Sequence, residues 1–255
     1  MKQLHLHSGI IVCFAMLFTN SLFAQTSFAE PRKAFIKNAV SNKLEDSLKQ
    51  QFKEKKLSWP PYSVYIRSFK YDRSLELWVK NKDVDSFTLF KTYKVCMQSG
   101  NIGPKRSEGD KQVPEGFYYI NEFNPRSNYH LALGLNYPNA ADKILSNTKK
   151  PGGDIYIHGN CVSTGCIAIQ DYPIEEVYTI ASIVKLNGQD FIPVHIFPVN
   201  YGVKKSLDYL TETIKDKQAI YQSIINMKAA YDYFEKNHAT RKVYMDVKGS
   251  YFFKD

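Results

Sequence analysis

The chain has 255 residues and a mass of 29.4 kDa, which suits one large domain or a smaller domain with appendages. Apolar residues make up 44% of the sequence and aromatic residues 14%, enough for a buried core, which excludes a wholly disordered chain. The four cysteines are too few for a disulfide-rich scaffold or an array of zinc sites. The net charge of +9 favours an anionic partner without identifying it.

The first 29 residues have the features of a secretory signal peptide. Lys2 precedes a short apolar run, Ile10–Phe18, and the segment ends in Ser27-Phe28-Ala29, with small residues at alternate positions. The run is too short to span a bilayer comfortably, so we expect cleavage and export, with an uncleaved N-terminal anchor as the alternative. Loss of Lys2 lowers the net charge from +9 to +8. Three cysteines remain, so at least one thiol is free or pairs with another molecule.

Residues 31–57 are predicted to form a helix, which Trp59-Pro60-Pro61 ends because proline cannot continue the hydrogen-bond ladder. From Tyr62 to about Val199 the period of the apolar residues changes to two, which predicts short strands of a mainly antiparallel sheet. Within this part we expect loops over 99–115, 121–128 and 137–153 and a helix over 175–186.

A long helical pattern follows from Tyr201 to about Asn237, and a short hairpin is predicted over 243–253. The sequence therefore predicts an α+β protein built around a sandwich or barrel-like sheet. Its expected parts are a signal peptide (1–29), an N-terminal helical segment (30–60), a catalytic domain (61–201) and a C-terminal helical extension with a hairpin (202–255).

The densest cluster of reactive side chains lies between Asp154 and Ile169. A cysteine attacks as thiolate and needs a neighbouring base, for which histidine is suited by its near-neutral pKa. His158 ends one predicted strand and Cys166 begins another, so the loop between them can bring imidazole and thiol together. We expect Gly159 to permit an unusual backbone angle, and Gly165 to let the backbone approach a substrate closely and turn sharply into Cys166. The N–H groups around Cys166 could then receive a developing oxyanion.

Three other interpretations of this cluster stay open from the residues alone. Cys166 and His158 could be an ordinary buried pair, or Cys161 and Cys166 could form a local disulfide. A zinc site is the third possibility, with His158, Cys161 and Cys166 as ligands and His130 or His195 as the fourth, although the spacing matches no common zinc motif. Cys96 is expected to be a core residue of a strand.

The cluster resembles the signature of the L,D-transpeptidase (YkuD-type) catalytic domain, in which His-Gly is followed by Ser/Thr-x-Gly-Cys. The stretch from Gly103 to Tyr118 resembles the family's Gly-x-x-x-Thr-Pro-x-Gly-x-Phe segment. Further segments resemble the YafK-like branch of the family: Asn128–Ala132, Tyr137–Asn139 and Tyr231–Glu235. The resemblance covers about 62–199 and extends into the C-terminal part.

The resemblance implies that Cys166 is the nucleophile, that His158 is its base and that the carbonyl of Gly159 orients the imidazole. The N–H groups of Thr164, Gly165 and Cys166 would form the oxyanion hole. It also implies an exported, periplasmic enzyme without metal or cofactor. The enzyme would cleave the amide between the L-centre of meso-diaminopimelate and D-alanine in peptidoglycan stems, through a thioester.

The sequence departs from the family pattern at Ala168, where many members carry arginine, and at Thr164, where many carry a second histidine. Substrate binding is therefore expected to involve other residues, namely Lys105, Arg106, Lys111, His130 and Ser163. The acyl group could pass to an amine, giving a transpeptidase, or to water, giving an amidase or carboxypeptidase that releases D-alanine or a wall-bound lipoprotein. A non-catalytic wall-binding module is the other alternative, whereas no nucleic-acid-binding module is recognised.

Overall fold

The computed structural model describes residues 42–254. The predicted signal peptide and the first part of the predicted N-terminal helix lie outside this range. Within it, α1 covers Asn42–Glu54, and Leu44, Leu48 and Phe52 lie buried on one face at intervals of four residues, as the helical spacing predicted. Phe52 packs against the rings of Trp59 and Phe90, so the residues after the helix hold it on the sheet.

Eight strands form one curled sheet, which confirms the α+β class and the mainly antiparallel, barrel-like core. The strands are β1 (Ser63–Phe69), β2 (Ser74–Lys80), β3 (Thr88–Lys94), β4 (Gly116–Ser127), β5 (His130–Leu135), β6 (Tyr156–His158), β7 (Ile167–Ala168) and β8 (Pro193–Phe197). Their order is β3-β2-β1-β8-β4-β5-β6-β7, with parallel pairing between β1 and β8 and between β6 and β7.

The strand β8, the last of these eight in the sequence, lies in the centre of the sheet. It pairs with β1 on one side and with β4 on the other, so it joins the ribbon β1–β3 to the ribbon β4–β7. The two outer edges approach each other where Met97, just after β3, forms a bridge to Ala168 of β7. This bridge brings the end of β3 next to the loop that contains the predicted nucleophile.

The strand β4 is longer than predicted. We expected a turn over 121–128, but the strand continues to Ser127 and pairs with β5 as far as His130. The second half of β4 carries polar and partly exposed side chains, which hide the alternation of apolar residues. A short helix, α2 (Ala140–Leu145), also lies in the predicted loop 137–153 and begins with a capping box between Asn139 and Asp142.

The remaining helices cover the two faces of the sheet. The predicted helix over 175–186 begins earlier, giving α3 (Asp171–Leu186). The single helical pattern predicted after Tyr201 is divided into α4 (Lys204–Ile214) and α5 (Gln218–Asn237). The predicted hairpin follows as β9 (Val243–Met245) and β10 (Tyr251–Phe253), which pair antiparallel.

The helix α5 packs on the sheet through an ion pair enclosed by aromatic rings. Arg67 of β1 is buried, contacts Glu76 of β2 and lies 2.6 Å from Glu235 of α5. Its guanidinium carbon lies 4.9–5.3 Å from the centres of four rings: Phe69, Trp78, Tyr231 and Phe234. Within residues 42–254 no helix has the length and apolar character to cross a membrane.

Candidate active site

The parallel pairing of β6 with β7 places His158 and Cys166 on the same face of the sheet. His158 lies opposite Ala168, and Ile157 lies opposite Ile167. Cys166 precedes Ala168 by two residues, and side chains two residues apart on an extended chain point to the same side. The imidazole and the thiol are therefore diagonal neighbours, and both line one cleft.

This cleft has a volume of about 350 Å³ and lies over the β4–β7 end of the sheet. His158 and Cys166 line it together with Thr164 from the loop between them. The other lining residues come from the β4–β5 hairpin and from the approach to β6, and include Asn124, Arg126, Tyr129, Asp154 and Tyr156. No residue of the helix α5 lines this cleft, so the C-terminal extension packs on the sheet elsewhere.

The imidazole of His158 is buried and held by a hydrogen bond to its own backbone region. Its Nδ1 atom lies 2.5 Å from the carbonyl oxygen of Gly159. A carbonyl can only accept, so Nδ1 carries the proton and Nε2 is left with a lone pair. Burial lowers the pKa of His158, and the bond to Gly159 opposes this in part. The imidazole is therefore neutral at pH 7 and able to take a proton at Nε2.

The Cys166 thiol lies against the backbone that leads into β6. Its Sγ lies 3.5 Å from the carbonyl oxygen of Asp154, to which the thiol donates. Burial raises the pKa of Cys166, and the Asp154 carboxylate raises it further. The backbone N–H of Tyr156 and the charge of Lys105 lower it. The resting site therefore holds a neutral thiol beside a neutral imidazole, not a thiolate–imidazolium pair.

Small residues flank His158 on both neighbouring strands. Ala132 of β5 pairs with it on one side and Ala168 of β7 on the other. The ring of Tyr129 packs on the imidazole, with 4.8 Å between the ring centres. Ala168, at the position that is arginine in many relatives, is fully buried and is not among the residues that line the cleft.

The two glycines of the cluster act in different ways. Gly165 has a φ of +127°, a conformation that side-chain-bearing residues rarely adopt and that suits the predicted sharp turn into Cys166. Gly159 does not have a positive φ, so the prediction of an unusual angle there was wrong. It provides space instead, because a Cβ atom at this position would lie 2.7 Å from Asp171 Oδ1 and 2.9 Å from the carbonyl oxygen of Tyr129.

The hydroxyl of Ser163 organises the backbone of the nucleophile. Its Oγ accepts hydrogen bonds from the N–H of Cys166 at 2.9 Å and of Gly165 at 3.3 Å, and donates to the carbonyl of Cys166 at 2.7 Å. The hydroxyl is thus used within the loop, so the structure does not support substrate binding by Ser163. Of the three amides predicted for the oxyanion hole, Thr164 is the one with no hydrogen-bond acceptor among the described residues.

A disulfide joins Cys161 to Cys96, and Cys166 is the free thiol among residues 42–254. The alternative of a Cys161–Cys166 disulfide is therefore wrong, as is the expectation that Cys96 is a core residue, since it lies half-buried just after β3. The zinc alternative also fails, because Cys161 is not available as a ligand. The disulfide ties the loop between His158 and Cys166 to the segment that bridges to β7.

The cations predicted to bind substrate do not line the cleft. Lys105 is buried and forms an ion pair of 2.7 Å with Asp110, so it acts on Cys166 only through its charge. Arg106 lies 3.9 Å from Asp142, and Lys111 is exposed on the loop before β4. Sequence reasoning overlooked Arg126, which lines the cleft from the β4–β5 hairpin.

His130 also lies outside the cleft lining, against the prediction that it binds substrate. Its φ of +73° turns the side chain away from the strand pattern, and its Nε2 lies 2.7 Å from Glu175 of α3. The preceding residue, Tyr129, takes the place beside His158. His195, the other histidine considered as a zinc ligand, is buried elsewhere and hydrogen-bonds Tyr65 at 2.9 Å.

A cysteine and a buried histidine with a fixed tautomer in one cleft can supply a nucleophile and its base. The family of L,D-transpeptidase catalytic domains matches residues 64–199. YafK of Escherichia coli strain K12 is 33% identical over 195 residues, which cover 76% of this chain and 72% of YafK. The chain belongs to the L,D-transpeptidase family.

Three solved structures, which come from two proteins, match this chain. The helical cell shape determining protein Pgp2 of Campylobacter jejuni has a TM-score of 0.43 and 20% identity, covering 72% of this chain and 73% of Pgp2. A variant of Pgp2 has the same TM-score. That match covers 66% of this chain and 59% of the variant. Bd1075 of Bdellovibrio bacteriovorus has a TM-score of 0.38 and 19% identity, covering 74% of this chain and 76% of Bd1075.

Proposed function

We propose that this protein is an exported cysteine acyl-transferase that acts on the peptide stems of peptidoglycan. The observation that carries the proposal is the fixed tautomer of His158, whose Nδ1 lies 2.5 Å from the carbonyl of Gly159 in the cleft that Cys166 lines. A base with its free nitrogen available beside a single free thiol suits nucleophilic attack on an amide. Membership of the L,D-transpeptidase family supports the choice of substrate.

In the first half-reaction Nε2 of His158 takes the thiol proton as Sγ of Cys166 bonds to the carbonyl carbon of the stem. The Thr164 N–H is the proposed donor to the oxyanion, joined by the Gly165 and Cys166 amides if Ser163 rotates away. The amide C–N bond then breaks, and the protonated imidazole returns the proton to the leaving amine. The product is a thioester on Cys166.

In the second half-reaction an acceptor amine attacks the thioester carbonyl. His158 takes a proton from the attacking amine and returns it to the sulfur as the C–S bond breaks. The products are a new amide and the restored thiol of Cys166. Water in place of the amine would give hydrolysis, with release of the acyl chain or of a wall-attached lipoprotein, and this is the competing outcome that the experiment separates.

The test is incubation of the purified protein with a disaccharide-tetrapeptide from peptidoglycan, with and without an acceptor stem, followed by mass spectrometry. We expect a thioester adduct on Cys166 and a crosslinked product that requires the acceptor. Cys166→Ala and His158→Ala should abolish both, whereas His238→Asn, at the left-handed C-cap of α5, is the matched histidine control.

Activity of Cys166→Ala, or the absence of any adduct or product with the native protein, would overturn the acyl-transfer proposal. Products that incorporate water alone, even at high acceptor concentration, would retain the thioester chemistry but replace the transferase by a hydrolase. Binding to isolated sacculi without an adduct would instead favour a non-catalytic wall-binding module.

A further inference from the structure

We propose that Arg126 binds a carboxylate of the substrate stem, at a distance from the bond that is cleaved. Among the described residues that line the cleft, Arg126 is the only lysine or arginine. The inference rests on the proposed function, because it concerns the substrate of the same site.

The guanidinium of Arg126 is available to a ligand. Its side chain is exposed, and within residues 42–254 no carboxylate lies at ion-pair distance from it. Two buried basic residues, Lys105 and Arg67, differ from Arg126 because each already has an anionic partner. Lys105 pairs with Asp110, and Arg67 pairs with Glu76. Arginine binds carboxylates through two parallel N–H donors, which gives geometric selectivity as well as charge.

The backbone around Arg126 is held in place. Its N–H donates to Asn124 Oδ1 at 3.0 Å, and the N–H of Tyr129 donates to Ser127 Oγ at 3.1 Å. The hairpin is further fixed by the contact of His130 with Glu175 on α3, at 2.7 Å. The tip of the β4–β5 hairpin therefore presents the guanidinium from a defined backbone position.

The sheet order places Arg126 away from the nucleophile. Asn124 of β4 pairs with Ala132 of β5, which pairs with His158 of β6, which pairs with Ala168 of β7. Three strand spacings of about 4.8 Å separate β4 from β7. We infer that Arg126 reaches a carboxylate several bonds from the scissile carbonyl, such as one on a stem side chain, and not the terminal carboxylate next to that bond.

The charges of the cleft support this orientation. Asp154 is the acidic residue of the lining, and its carbonyl oxygen lies 3.5 Å from the Cys166 sulfur. A substrate carboxylate is repelled at that end of the cleft and attracted at the Arg126 end. The two charges thus set a direction for a stem that carries a carboxylate on one side of the scissile amide.

The experiment compares native protein, Arg126→Ala and Arg126→Lys on three stems: unmodified, with the side-chain carboxylate amidated, and with the terminal carboxylate amidated. We expect Arg126→Ala to raise KM about tenfold with little change in kcat, and Arg126→Lys to recover part of the loss. On the stem with the amidated side chain, native protein and Arg126→Ala should have the same KM. Lys149→Ala, which removes an exposed charge outside the cleft lining, is the matched control.

Two readouts separate failure of this inference from failure of the proposed function. Alkylation of Cys166 by neutral iodoacetamide should be unchanged in Arg126→Ala, because the nucleophile is intact. If native protein processes stems and Arg126→Ala has the same KM, the inference is overturned while the proposed function stands. If the difference between the proteins disappears only on the stem with the amidated terminus, the terminal carboxylate is the ligand and the placement is wrong. A native protein inactive on all stems contradicts the proposed function itself.

Discussion

The Nδ1 atom of His158 lies 2.5 Å from the carbonyl oxygen of Gly159, and this contact leaves Nε2 as the ring nitrogen that can accept a proton. Because the Nδ1–H group donates a hydrogen bond to this carbonyl, only Nε2 can receive the thiol proton. Burial opposes charge on both partners: it lowers the pKa of His158 and raises that of Cys166. In the proposed mechanism we therefore place proton transfer from thiol to imidazole in the same step as the attack.

The pH dependence of Cys166 reactivity follows from this state. A thiol with a raised pKa is protonated at pH 7, so its alkylation by iodoacetamide should increase steadily as the pH rises above 7. Asp154→Asn removes the anion that raises the pKa of Cys166, and asparagine tolerates the φ of +54° at this position. The variant should therefore be alkylated faster than native protein at pH 7. An alkylation rate independent of pH between 5 and 8 would show a resting thiolate instead.

Gly159 and Gly165 should respond differently to alanine. In Gly159→Ala the new Cβ meets Asp171 and the backbone of Tyr129, so we expect a loss of about 1–3 kcal/mol and reduced activity through displacement of Tyr129 from His158. This corresponds to a decrease in Tm of roughly 2–10 °C by thermal unfolding. In Gly165→Ala the nearest atom lies at 3.4 Å, so the cost comes from the backbone angle alone.

Crystal structures of both glycine variants would separate the two causes. Gly159→Ala should move the β4–β5 hairpin away from the imidazole, whereas Gly165→Ala should change the backbone at the nucleophile. Unaltered Tm and activity in Gly159→Ala would contradict the role of space at this position.

The disulfide between Cys96 and Cys161 should stabilise the folded protein. Its partners are 65 residues apart, and closing a loop of that length contributes about 2–4 kcal/mol. The Tm of native protein should fall on addition of a reductant, whereas the Tm of Cys96→Ser/Cys161→Ser should be low from the start and insensitive to it. If the reductant lowers the Tm of both proteins equally, or changes the Tm of neither, the result contradicts the Cys96–Cys161 disulfide.

The ion pair of Arg67 with Glu76 should matter more for stability than that with Glu235. Arg67→Ala leaves Glu76 buried without its partner, and we expect a loss of about 3–5 kcal/mol in denaturant unfolding. Glu235 is 44% exposed, so Glu235→Gln should cost less than about 1 kcal/mol. Both variants should keep the activity of the folded fraction, because neither residue lines the cleft. Similar losses in the two variants would contradict this ranking.

The sequence predicts the parts of the fold that depend on local pattern. The buried face of α1 follows from apolar residues four apart, and the pairing of His158 with Cys166 in one cleft follows from two strands joined by a short loop with glycine at each end. These features require only neighbouring residues and regular periodicity.

Features that depend on contacts distant in sequence were not predictable in this way. The disulfide partner of Cys161 is brought near by the bridge between Met97 and Ala168 at the sheet edges. A regular strand would place His130 on the same face as Ala132, but the irregular pairing between Asn124 and Ser127 and the positive φ of His130 put Tyr129 there instead. A shift of one residue changes which side chain faces the cleft. Arg126 lay in a predicted turn because the polar side chains in the second half of β4 hide the alternation of a strand.

The central position of β8 makes folding of the sheet depend on the end of the catalytic domain. A nascent chain that has reached α3 contains the strands β1–β7, yet β1 and β4 have no neighbour on their inner sides until 193–197 are available. Open edges of this kind pair readily with other chains. A stop codon between α3 and β8 would thus keep every residue of the candidate active site in the chain and still yield an aggregation-prone product. The strand β8, which contributes no residue to the cleft lining, therefore sets the minimal length of a product that can complete the sheet.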